Sequence, residues 1–152
     1  MSLRTLFAAV ALSLAVAAPA YADGKDAKKE AVGPKKDAAS YVVELKANGP
    51  YKAGAEGKLV LSLTPKAGYH VNPDYPAKLK LQDPAPEGVT FPKKVLKKED
   101  GKFEEKAASL DVPFTVAKAG KAKIAGTFQF SVCSDKNCFM EKADLELEVE
   151  AK

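Results

Sequence analysis

The chain is predicted to be all-β: an immunoglobulin-like antiparallel β-sandwich preceded by a signal peptide and a disordered linker. Three observations predict it. Apolar residues after Ser40 recur at period two in six separate runs, ten prolines and ten glycines cut those runs at spacings of about ten residues, and no window carries a convincing helical period.

Residues 1–22 read as a cleavable secretory signal. Arg4 supplies the positive n-region, Leu6 to Ala18 form an unbroken apolar stretch, and Ala20 and Ala22 flank Tyr21 at the expected cleavage point. The apolar stretch is about 13 residues where a spanning helix needs roughly 20, and no second one follows, so no membrane span is expected in the mature chain. The expected location is the bacterial periplasm or the cell exterior. Residues 23–39, DGKDAKKEAVGPKKDAA, hold one valine, no aromatic residue and nine charges, too little apolar area to offset ordering. They are expected to be a Lys/Ala-rich flexible linker, leaving residues 40–152 as one domain, expected to be monomeric.

Loss of Arg4 with the signal takes the 24 basic residues to 23 lysines against 20 acidic residues, a net charge of +3. With no arginine left, and lysines interleaved with Asp and Glu, nucleic-acid recognition is excluded.

The strands follow in order. Tyr41, Val43 and Leu45 alternate, as do Leu59, Leu61 and Leu63 up to Pro65, and Leu79 and Leu81 before Pro84 and Pro86. Leu110, Val112, Phe114 and Val116 form a fourth run, and Pro113 within it argues for a sheet edge or a bulge. After an Ala119–Gly120 turn come Ile124, Phe128, Phe130 and Val132. Leu145, Leu147 and Val149 close the chain.

Cys133 and Cys138 are the only cysteines, and in an exported protein they are expected to pair with each other. A hairpin turning through the polar Ser134–Asn137 loop would set them opposite one another, with facing Cα atoms about 4.5–5.5 Å apart. A loop of six residues stabilises by only about 2.2 kcal/mol, against roughly 4.7 for 100 residues, which makes it a weak staple. Exchange chemistry asks instead for an accessible bond near a chain reversal. Spacing alone leaves staple and reagent equally open.

Three segments carry a resemblance: GYHVNPDYPAKLKL from Gly68, the stretch from Glu99 to Val116, and FQFSVCSDKNCFMEKADLELEV from Phe128. They resemble the N-terminal periplasmic domain of the thiol:disulfide interchange protein DsbD, over most of the chain after Ser40. The resemblance implies an immunoglobulin-like fold that passes two electrons by dithiol–disulfide exchange, with Cys138 as attacking thiol and Cys133 as resolving thiol. It also implies an aromatic cap over the cysteines, for which Phe103 is the nearest match. The inter-cysteine loop is one residue shorter than in the best-known members, and His70 stands where they carry an aromatic residue. A stand-alone domain without a transmembrane or thioredoxin-like part is expected, and the expected partner is then a separate periplasmic or membrane-bound dithiol protein. The alternative is a non-catalytic immunoglobulin-like binding or accessory module with a structural hairpin disulfide.

His70, beside Tyr69, is the lone histidine; it is either a packing residue or a base that lowers the Cys138 pKa if the fold joins them. Tyr69 is read as lining the site, and the Tyr69, Tyr75, Pro73 and Pro76 cluster as a partner surface. Cys133, Cys138, Met140 and His70 invite copper, yet a blue-copper centre needs a second histidine; no cofactor or metal is expected, and Met140 reads as apolar filler. No serine nucleophile is set beside a histidine, which argues against hydrolysis.

Overall fold

The computed structural model describes residues 32–152. Eleven strands account for nearly all regular structure there: β1 (Lys35–Asp37), β2 (Tyr41–Ala47), β3 (Glu56–Pro65), β4 (His70–Val71), β5 (Lys78–Leu81), β6 (Val89–Thr90), β7 (Val95–Lys97), β8 (Gly101–Glu104), β9 (Ala107–Val116), β10 (Gly120–Cys133) and β11 (Cys138–Ala151). One 3-10 turn, Lys98–Asp100, joins β7 to β8. The expected signal peptide, and the part of the expected linker before Val32, lie outside the described residues.

Two antiparallel sheets form a sandwich. One runs β1-β2-β3-β9-β6 with β8 also on β9; the other runs β11-β10-β5-β7 with β4 also on β10. The alternating runs supply the core between them. Tyr41, Val43, Leu59, Leu61, Leu63, Leu110, Phe114, Ile124, Phe128, Phe130 and Leu145 are all buried. Phe128 and Phe130 stack at 4.8 Å, and Tyr41 of the opposite sheet meets Phe130 edge-on at 4.8 Å, the offset geometries favoured by the ring quadrupole.

Three features differ from a set of short, evenly spaced strands. First, β10 and β11 are each 14 residues long and pair along their whole length, from Gly120 opposite Ala151 to Cys133 opposite Cys138. The alternation in β10 lapses at Gly126, where a Cβ would lie 2.9 Å from the Lys80 carbonyl oxygen and 3.1 Å from Leu79, so close approach of β5 removes the side chain that the pattern calls for. Second, residues 35–37, within the expected linker, form β1 on the edge of β2. An edge strand is held by backbone bonds and does not need the apolar residues that this stretch lacks. Third, Pro113 is accommodated because β9 has β3 along one side, while β8 and β6 reach only its two ends, opposite residues 107–110 and 115–116. On that second side Pro113 is locally at an edge. Gly120 turns the chain from β9 into β10 at φ 133°, a conformation open to glycine.

Among the described residues no helix is long and apolar enough to cross a membrane.

Candidate functional site

The cysteine pair closes the tip of the β10–β11 hairpin. Ser134 N–H donates to the Asn137 carbonyl at 2.8 Å, and Asn137 N–H donates to Ser134 Oγ at 3.2 Å, so the loop orders itself through the side chain that opens it. Bonded and non-bonded rungs alternate in an antiparallel ladder, which puts Cys133 and Cys138 on a rung without mutual backbone bonds, where facing side chains come closest. Their Cα atoms are 3.9 Å apart and the sulfurs are joined.

The bond lies on the outer face of its sheet. In β10 the even positions from Ala122 to Val132 enter the core, and in β11 the odd positions Ala143, Leu145, Val149 and Ala151 do; Cys133 and Cys138 fall on the other parity of each. The two halves of the bond are unequally covered. Cys133 lies in the second strand of the sheet, with β11 on one side and β4 on the other, and is only 4 % exposed. Cys138 lies in the edge strand and is exposed.

His70 is the register partner of Cys133 across β4–β10, so His70, Cys133 and Cys138 form one row on three adjacent strands. Directly opposed residues project to the same face, and neighbouring strands are about 4.8 Å apart. His70 thus stands level with Cys133, and Cys133 separates it from Cys138. Tyr69, half-buried, precedes β4 in a turn in which its N–H donates to the Lys66 carbonyl at 3.0 Å. Tyr75 packs against the core.

Phe103, in β8, packs on the core, with its ring 6.5 Å from that of Phe128 on the inner face of β10. Its hairpin reaches the site differently: the Glu105 carbonyl, in the β8–β9 turn, accepts the Val71 N–H at 2.8 Å and so ties that turn to β4 beside Cys133.

Phe139, which the sequence leaves unmarked, and Met140, read from it as filler, stand beside Cys138. Phe139 is 43 % exposed and Met140 79 %, against the expectation of Met140 as filler. Their exposure follows from the edge position of β11: Met140 is on the outer face, and Phe139, on the inner parity, lies past Ala143, the last buried residue of β11 toward the tip, although its register partner Val132 is in the core. The signal available in the sequence was an apolar pair directly after a cysteine, before the alternation of the last strand begins.

Among the described residues no three His, Cys, Asp or Glu side chains gather to hold a metal ion. A comparison with protein-family models and a search of curated proteins find no match to this chain.

Proposed function

We propose that the protein is a periplasmic thiol–disulfide exchange domain, immunoglobulin-like and of the DsbD N-terminal kind, that passes two electrons through Cys133 and Cys138. The observation that carries this reading is the unequal burial of the two cysteines at a chain reversal: an exposed Cys138 in the edge strand in front of a buried Cys133. Exchange proceeds by in-line attack of a thiolate on a disulfide sulfur, so the sulfur open to solvent is the one attacked. A partner thiolate attacks Cys138 Sγ, the Cys133–Cys138 bond breaks, and Cys133 leaves as a thiolate. The partner's second thiolate then attacks the partner sulfur of the mixed disulfide and releases Cys138. The domain gains two electrons, the partner's dithiol becomes a disulfide, and the two cysteine thiolates take up two protons. In the opposite direction Cys138 attacks and Cys133 resolves. His70, the register partner of Cys133, would stand beside the leaving sulfur and not beside Cys138.

The inward packing of Phe103 favours a second reading, a hairpin staple in a binding module, since the aromatic residue assigned to the cap contacts Phe128. The reduction potential separates the two. Equilibration of the mature domain with glutathione buffers, followed by thiol trapping and mass spectrometry, is expected to give a value well above about −300 mV. A bond that stays closed below that level would make the disulfide structural and the exchange reading wrong.

A further inference from the structure

Ladder alternation also fixes which backbone groups of β11 point away from β10. With the Cys133–Cys138 rung non-bonded, the odd residues of β11 bond to β10 and the even residues direct N–H and C=O outward along the free edge. Four contacts agree: Glu146 N–H donates to the Gly33 carbonyl (3.0 Å), Lys152 N–H to the Tyr51 carbonyl (3.0 Å), and the Lys152 and Lys142 carbonyls accept from Ala53 N–H (2.9 Å) and Lys36 Nζ (3.2 Å). Gly33 and Tyr51 form parallel bridges with Leu145 and Ala151, so this edge already takes extended chain at two places. At Cys138 and Met140 the outward groups have no such partner among the described residues, and the exposed side chains of Phe139 and Met140 flank them.

Resting on the exchange reading, we propose that the Cys138–Met140 edge of β11 is the docking strip for the redox partner, which adds an extended apolar segment next to its own cysteine as a further strand. Strand addition draws affinity from main-chain bonds and selectivity from side chains along the edge. The occupant is set by continuity: backbone groups without a partner among the described residues, two exposed apolar side chains and the attackable sulfur lie within three consecutive residues. A partner segment bonded to the N–H and C=O of Met140 would hold its thiol beside Cys138.

The test uses the oxidised mature domain and three thiols: a short extended peptide with a central cysteine between valine and threonine residues, the same peptide N-methylated at alternate residues, and N-acetylcysteine amide. The unmethylated peptide is expected to form the mixed disulfide about tenfold faster than the other two, the gain of one to two backbone hydrogen bonds. Met140→Pro removes an outward N–H without a ladder bond to β10 and should cancel that advantage while leaving the small-thiol rate within about twofold. Met140→Lys keeps the backbone donor and should retain most of the advantage. Should the proline variant fail to fold, the two peptides on the wild-type domain decide alone.

Equal rates for all three thiols would overturn the docking strip while exchange stands. A serine version of the peptide reports docking without chemistry and is expected to shift the amide resonances of Cys138 and Met140. If those amides shift but no thiol opens the bond, exchange falls and with it the redox partner as occupant, while strand docking at this edge stands. Slow hydrogen exchange at Met140 N–H in the free monomer would give the edge to the chain's own residues, and a molecular weight that drops with Met140→Pro would give it to a second copy. Either result overturns a redox partner as the occupant.

Discussion

The two ends of the β10–β11 hairpin are built from the same ladder and finished differently. At the Gly120–Ala151 end, Tyr51 covers the edge: its carbonyl accepts from Lys152, its ring meets Phe114 at 4.9 Å, and its hydroxyl donates to the Lys58 carbonyl at 2.9 Å and accepts from Asn48 N–H at 2.8 Å. At the Cys133–Cys138 end the edge carries the exposed Cys138, Phe139 and Met140. Exposed sheet edges invite unwanted pairing and are usually covered or charged. The edge is thus covered at one end and exposed and apolar at the other, beside the disulfide.

The largest effect that would sharpen this contrast is expected from Tyr51→Ala. Truncation of a buried aromatic residue that also satisfies backbone groups should cost about 3–5 kcal/mol in urea unfolding, whereas Met140→Ala at the open end should stay within about 0.5 kcal/mol. Comparable losses at the two sites would erase the distinction. Next in size is removal of the disulfide. Replacing both cysteines by serine should lower stability by about 2 kcal/mol, with faster amide exchange confined to the hairpin tip. Loosening that spreads to the Tyr51 end would show that the bond holds the whole sandwich.

A smaller effect is expected beneath the open end, where Tyr41 OH donates across the sandwich to Glu141 Oε2 at 3.2 Å. Tyr41→Phe keeps the ring packing on Phe130 and should cost about 1 kcal/mol. No loss in the urea midpoint would mean that this bond does not help to hold the open end of β11 to the opposite sheet.

The smallest effect is that of acid. The Lys66 side chain holds the Asp37 carboxyl below its ordinary 3.8 by hydrogen bonding; Lys93, and then the Lys97 N–H, do so for Asp100; Lys121 lowers Glu148 from 4.5. Lowered folded-state values mean that this stabilisation is complete above the ordinary carboxylate range and is lost as pH falls through the lowered values. These pairs are on the surface, so the urea midpoint should drop slightly between about pH 6 and about pH 3, and less so in about 1 M salt. A midpoint that rises on acidification would contradict the assignment.

Much of the sandwich was legible because alternation is a local property. Leu59, Leu61 and Leu63, or Phe128, Phe130 and Val132, declare an inward face through the strand repeat alone, and all six are buried. The two-residue strands β4 and β6 and the short β7 and β8 were not legible, since too few residues repeat to show a period. β1 was hidden for another reason: Lys35–Asp37 contribute backbone bonds and almost no apolar area. At the site, the pairing of Cys133 with Cys138 could be read from their being the only two cysteines, one on each side of a short polar loop, and the structure joins them. The position of Phe103 could not, because a ring in a short hairpin packs wherever the opposite sheet leaves room, here against Phe128.

The sequence by itself determined an all-β chain, its inward-facing side chains and a hairpin with a cysteine on each side of its loop; each follows from steric periodicity or from contacts a few residues apart. Only the tertiary structure decided that β11 is an edge strand, that β4 lies beside Cys133, and therefore that one cysteine is buried and the other open. Those outcomes depend on strands such as His70–Val71 meeting Val132–Cys133 across some sixty residues of chain. Which strand ends at a sheet edge is settled by pairing over such distances, and no local pattern encodes it.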